Sequence, residues 1–180
     1  YFDFMRGLLV GDFGRSFLGG TPVGRLIGDA LPATLLLTFC SLGISLLISI
    51  PLGIRAAVNK GGWSDQVIRV VSLVGLSFPN FWLATMLVLL FSIVWPIFPP
   101  SGMDGASSLV LPAATMGIIL SATNVRLVRT SMLDTLSAQY IMVARSKGLK
   151  ERVVLYKHAL RNCAIPLVTY VGLQFGNLLG

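Results

Sequence analysis

The residues able to do chemistry are few, and most of them gather in one stretch. The 180-residue chain has a single histidine, His158, two cysteines, Cys40 and Cys163, and 14 Lys or Arg against 7 Asp or Glu. His158 and Cys163 fall in residues 140–166, YIMVARSKGLKERVVLYKHALRNCAIP, a charged run with Gly148 in its middle. A metal site needs further imidazoles, thiolates or carboxylates at ligand spacing. No second histidine exists and no carboxylate or cysteine cluster supplies such a set, so His158 reads as a structural contact in its loop. Cys40 sits in an apolar run and Cys163 beside the basic stretch, two different layers, which predicts small apolar residues and no disulfide. No G-x-x-x-x-G-K-[ST] phosphate cradle is present, so the chain is not expected to bind or hydrolyse ATP. The basic run lacks an aromatic platform, which argues against nucleic acid. No catalytic, cofactor or metal residue is assigned.

The elements that must hold this stretch are apolar. The chain is 54% hydrophobic and only 12% charged, with a mean hydropathy of +0.81. A soluble domain carries about a quarter charged residues, so a membrane protein is indicated. A membrane helix needs about 20 apolar residues. Residues 31–54, 70–96, 109–125 and 164–180 are free of charge, which predicts about four spans. They show none of the period-two alternation of outer-membrane strands, so the fold class is all-α, a polytopic helix bundle.

The connections orient the spans. Residues 55–69 carry net +2, residues 126–163 net +6, residues 97–108 net −1 through Asp104, and residues 1–30 net 0. The two basic connections are two spans apart and therefore on one side, the cytoplasmic side by the positive-inside rule. Tyr1 at the start and an apolar run at the end read as a piece of a longer chain.

Prolines punctuate the spans. Pro32, Pro112 and Pro166 are expected near helix starts, whereas Pro51 and Pro79 lie within spans and should kink or loosen them. Ser77, Pro79 and Asn80, in GLSFPNFW, bring polar groups and a helix break to membrane depth. They are either contacts between helices or the lining of a path. Trp63, Trp82 and Trp95 fall mostly near span ends and suit interfacial anchors.

The 38 residues from 126 to 163 are too many for a turn. Leu133, Leu136, Tyr140 and Val143 recur at helical spacing before Gly148, and Leu149, Val153, Tyr156 and Leu160 do so after it. Gly148 suits the left-handed position that closes a helix, with Leu149 folding back on it. A short helix, a glycine corner and a second short helix are predicted. Such a loop is a topogenic signal, a lipid-attracted surface element or a docking element for a soluble partner.

ARSKGLKERVVLYKHALRNCAIPLVTYVG, residues 144–172, resembles the cytoplasmic loop of type I ABC transporter permeases, nearest to the dipeptide, oligopeptide and nickel branch of B-type subunits. GDFGRSF (11–17), PV (22–23), LPATLLLT (31–38), PLGI (51–54) and SFPNFWLA (77–84) resemble that branch in the same order. Against the general signature of that loop, Ala144, Gly148 and Leu160 match, while Met142, Val143, His158 and Arg161 depart. KGL and HALRN are typical of the peptide branch.

The resemblance implies the type I ABC importer permease fold, with residues 1–30 an extracytoplasmic segment, residues 31–180 the permease domain and residues 126–163 the coupling loop. It implies that Ala144, Arg145, Ser146, Lys147, Gly148 and Leu149, with His158 and Leu160, couple to an ATPase, and leaves Ser77, Pro79 and Asn80 as pathway candidates. The implied partners are a second homologous permease subunit, two cytoplasmic ABC ATPase subunits and an extracytoplasmic solute-binding protein, in the lipid bilayer of a bacterial or archaeal inner membrane. The implied cargo is di- or oligopeptides, or a related solute such as nickel. An ion-gradient-driven transporter would place ionisable groups inside the spans, where this chain has none, and a membrane scaffold would leave the glycine corner unexplained.

Overall fold

A computed structural model describes residues 5–7, 11–17, 19–102 and 105–179. Asp104 and Gly180 lie outside the described residues. Contacts divide the chain into two units, Tyr1–Leu37 and Thr38–Gly180.

In the first unit a tight reversal leads into a helix. Asp12 accepts a hydrogen bond from the Gly14 N–H at 2.9 Å, the Ser16 N–H donates to the Thr21 carbonyl, and Arg15 and Pro22 form an isolated antiparallel bridge. Helix α1 follows as Val23–Val58, α2 as Trp63–Ser77, and α3 as Asn80–Val88 with a π-helical turn, Leu89–Val94. Then come α4, Ala106–Leu136, and α5, Gln139–Ser146. The three-residue α6, Glu151–Val153, runs through a π-helical turn, Val154–Ala159, into α7, Leu160–Leu179. The described residues hold no β-strand. The fold is all-α.

Helix bounds differ from span bounds because backbone hydrogen bonding continues where apolarity stops. Thus α1 begins at Val23 rather than residue 31, and α4 continues eleven residues past 125 to Leu136. Pro32, Pro112 and Pro166, predicted near helix starts, therefore lie inside α1, α4 and α7. Among the described residues two helices, α1 and α4, are long and apolar enough to cross a membrane, or up to three spans exist if the α2–α3 pair, bent by 96°, counts as one. The predicted fourth span falls in α7, whose 20 residues do not reach the same apolarity. Arg161, Asn162, Gln174 and Asn177 dilute it.

Pro79 makes the bend. It lacks an N–H and disfavours a helical residue before it. Phe78 and Pro79 are accordingly extended, at ψ 133° and 140°. Pro79 then serves as the N-cap of α3, its carbonyl accepting from the Trp82 N–H at 3.0 Å.

In the second unit α1 and α4 run parallel and very close. A Cβ on Gly117 would fall 2.7 Å from Ile44 Cβ, and one on Gly53 only 2.6 Å from Val128 Cβ. The buried face of α1 is mostly small and polar, Thr38, Ser41, Ser45, Ser49 and Gly53, with Leu42 and Ile54 as its large apolar members, while Phe39 and Leu47 are exposed. Small and polar side chains inside with large apolar ones outside is the arrangement lipid favours, because close van der Waals packing rather than apolar burial joins helices there. Asn124 of α4 lies at the centre, fully buried, and its Nδ2 donates to Ser45 Oγ (2.8 Å) and to Gln174 Oε1 of α7 (3.1 Å).

Helix α2 is antiparallel to α4: Asp65 meets Arg129 and Gly75 faces Ala122. Beyond the bend, Asn80 and Val88 share a cavity with Thr115, Leu111 and Ser108. The pair thus packs on α4 on both sides of its bend, and at 96° α3 turns roughly perpendicular to α2 rather than continuing along it.

Candidate functional site

The stretch around Gly148 forms a closed helix end seated on the bundle. The Gly148 N–H donates to the Arg145 carbonyl at 2.9 Å and the Leu149 N–H to the Ala144 carbonyl at 3.4 Å. With Gly148 at φ 74°, these are the two bonds of a Schellman motif, as the glycine signal predicts. Arg145 and Glu151 clasp the corner from either side. Nη2 lies 2.6 Å from Oε1 and Nε 3.2 Å from Oε2. The pair is exposed, so it stabilises by less than about 1 kcal/mol, and its fork bridges α5 to α6 across the corner. The Glu151 carboxylate raises the pKa of the Arg145 guanidinium further above its ordinary value, chiefly through this hydrogen bond.

Beneath the corner is the main apolar core. Ile141 and Ala144 of α5, and Val154 and Ala159 of the π turn, pack with Val128 and Met132 of α4 and Ile54 and Ala57 of α1. Asn162 Nδ2 donates to the Tyr140 hydroxyl at 2.8 Å, which ties α5 to the start of α7.

This geometry corrects the sequence-based picture of the loop in two ways. Leu133 and Leu136 belong to α4, separated from α5 by the extended Ala138 (ψ 146°). The second short helix is no separate element, since it continues through the π turn into α7. Further, four of the eight apolar residues picked out by periodicity, Tyr140, Val143, Leu149 and Tyr156, are outward, while Leu133, Leu136 and Leu160 pack against the core. Tyr140, Val143 and Leu149 are 44%, 48% and 40% exposed, whereas Ile141 is 0% exposed.

The structure brings Ala144, Arg145, Ser146, Lys147, Gly148 and Leu149 together on one corner, with Ala144 facing in and the rest exposed. His158 and Leu160 sit further on. His158 contributes its backbone carbonyl to Asn162, and Leu160 packs against the core. Among the pathway candidates, Asn80 lines a cavity of about 560 Å³ between α3, α4 and residues 99–102; Ser77 and Pro79 do not line it. The Ser77 hydroxyl instead donates to the Leu73 carbonyl at 3.1 Å, in the last turn before the break.

Two features escaped the sequence reading. Asp65, almost wholly buried, takes both Nε and Nη2 of Arg129, at 2.6 and 2.7 Å, and accepts the Gly61 N–H at 2.9 Å. It is the lone acid in the basic connection 55–69, a signal that was available. The Ser45–Asn124–Gln174 cluster is the other, and Asn124 and Gln174 are uncharged polar residues within predicted spans.

A bundle of close-packed apolar helices with membrane-length spans and a basic corner is that of a polytopic membrane protein. The chain belongs to the family of binding-protein-dependent transport system inner membrane components, whose pattern matches residues 49–180. Over all 180 residues it is 38% identical to the glutathione transport system permease protein GsiC of Pectobacterium atrosepticum. It is 38% identical to GsiC of Salmonella typhimurium and 37% identical to that of Escherichia coli strain K12. In each case the chain spans 59% of the relative's length.

Proposed function

We propose that this chain is part of the permease subunit of an ATP-driven importer for small peptides of the glutathione class. The names of its relatives support the cargo. The observation that carries the coupling role is the two-faced corner. One face is locked to the bundle by Ile141, Ala144, Val154 and Ala159, and the other presents Tyr140, Val143 and Leu149 with Arg145 and Lys147. A soluble element that leaves apolar side chains unburied beside cations suits a protein partner.

That partner is a cytoplasmic ATPase, and ATP is hydrolysed there. A second related permease chain completes the path, two ATPases grip the two corners, and an external solute-binding protein delivers the cargo. Because the corner packs on α1 and α4 and runs unbroken into α7, a displacement of it moves all three helices. The two states of the path shift only if the ATPases bind them unequally; a change from 1:99 to 99:1 takes about 5.5 kcal/mol. The cavity beside Asn80 is this chain's part of the path.

Gly148→Val tests the coupling. The left-handed φ is a genuine outlier for a β-branched residue, so the reconstituted full-length transporter is expected to bind cargo through its binding protein yet lose most of its substrate-stimulated ATPase activity. Wild-type stimulation in that variant would remove Gly148 from the coupling element.

A further inference from the structure

A second cluster of cations lies at the basic end of the bundle. Arg69 of α2 and Arg126 and Arg129 of α4 line a cavity of about 300 Å³ with Leu73 and Thr130. Asp65 neutralises Arg129. Arg69 and Arg126 are exposed, and neither has an ion pair or hydrogen bond among the described residues. Two guanidiniums with no hydrogen-bonded counter-ion among the described residues therefore face one cleft, with Arg69 near enough to Asp65 to feel its charge.

Their level in the bundle decides what they suit. Arg69 follows Asp65 by four residues and Arg126 precedes Arg129 by three, so each lies about one helical turn nearer mid-bundle than the ion pair. Leu73 is one turn deeper still, and Val70 and Val74 beside it are exposed apolar surface. The cleft thus has cations at its rim and an apolar slope leading inward. A soluble anion has no use for the slope; a phospholipid matches both parts, its phosphate against the guanidinium forks and its acyl chains along α2.

We propose that the Arg69–Arg126 cleft is a binding site for an anionic phospholipid, with the Asp65–Arg129 pair as its fixed wall. Asp65 gives both its oxygens to Arg129, which leaves the donors of Arg69 and Arg126 for a single phosphodiester. The site is separate from the glycine corner and its occupancy does not depend on the coupling role.

Native mass spectrometry of the full-length permease, purified with its partner subunits and stripped of lipid, tests this with phosphatidylglycerol and phosphatidylcholine as probes. A cation near an anionic lipid contributes about fivefold each. The wild type should therefore prefer phosphatidylglycerol by about tenfold or more, R69Q/R126Q should lose that preference, and R69K/R126K should keep most of it. If the double glutamine variant does not assemble, R69Q alone, on the exposed surface of α2, should lose about fivefold. An assembled glutamine variant with unchanged preference overturns the proposal. So does a wild type that retains inorganic phosphate as tightly as the lipid, which would make this a free-anion site.

Discussion

Asp65 and Arg129 show how a single pair fastens the connection between α1 and α2. The carboxylate is spent on three donors, two from Arg129 and the Gly61 N–H. Asp65→Asn keeps the shape but leaves the guanidinium without its counter-charge. With Asp65 1% and Arg129 18% exposed, the loss lies between that of a surface pair and a buried one, about 2 kcal/mol. Thermal unfolding of the solubilised full-length protein should show a clear drop for D65N, partly recovered in the swapped D65R/R129D. An unchanged midpoint would mean that the connection is held by packing alone. The residue scale is also where reading from sequence reached furthest at one position and least at another. Gly148 was legible because a glycine between two helical patterns has few other uses. Asp65 was not, because its partner is 64 residues away and charge counting treats a lone acid in a basic loop as a subtraction.

At the scale of elements, apolar runs located the helices but not their ends or faces. Periodicity works by assuming that large apolar side chains point inward. On α1 most buried positions are small or polar, with Leu42 and Ile54 the large apolar exceptions, and at the corner Tyr140, Val143 and Leu149 face outward, so hydrophobicity alone does not select the face. The better signal is small size. Gly53 and Gly117 mark where α1 and α4 touch. Gly117→Val should force these helices apart, since its Cβ would overlap Ile44 and also approach the Ser41 carbonyl at 3.0 Å. A loss of about 3 kcal/mol or more is expected from overpacking at such a contact, seen as poor yield of folded protein. Gly172→Val on α7, where a Cβ meets nothing within 4 Å, serves as the control and should be tolerated. Equal behaviour of the two variants would show that the close approach is not a constraint.

For the whole molecule the decisive quantity is orientation. Parallel α1 and α4 bring the connection at Asp65 and the corner at Gly148 to the same end, as the charge distribution of the two connections requires. Membrane-impermeant amine labelling of intact cells should therefore spare Lys150 and Lys157, and labelling of inside-out vesicles should reach both. The opposite pattern would place the corner outside and exclude an ATPase partner. The all-α class and the common end of the two basic connections were legible because apolarity and charge are summed over many residues. The count of spans was less so, because a proline break and a polar-flecked α7 both blur a criterion built on uninterrupted apolarity.

The π turn from Val154 to Ala159 has a consequence for length. A π turn amounts to one residue more than an α-helix needs, and each residue of an α-helix rotates the chain by about 100°. Removing one residue between 154 and 159 would let the segment relax to α-helix with the corner still facing Met132, because five α-helical residues turn the chain about as far as six in the wider π turn. A deletion in the regular helix that follows, Leu160–Leu179, has no such slack and should be far more damaging, since it would swing Ile141 and Ala144 by about 100° around α7.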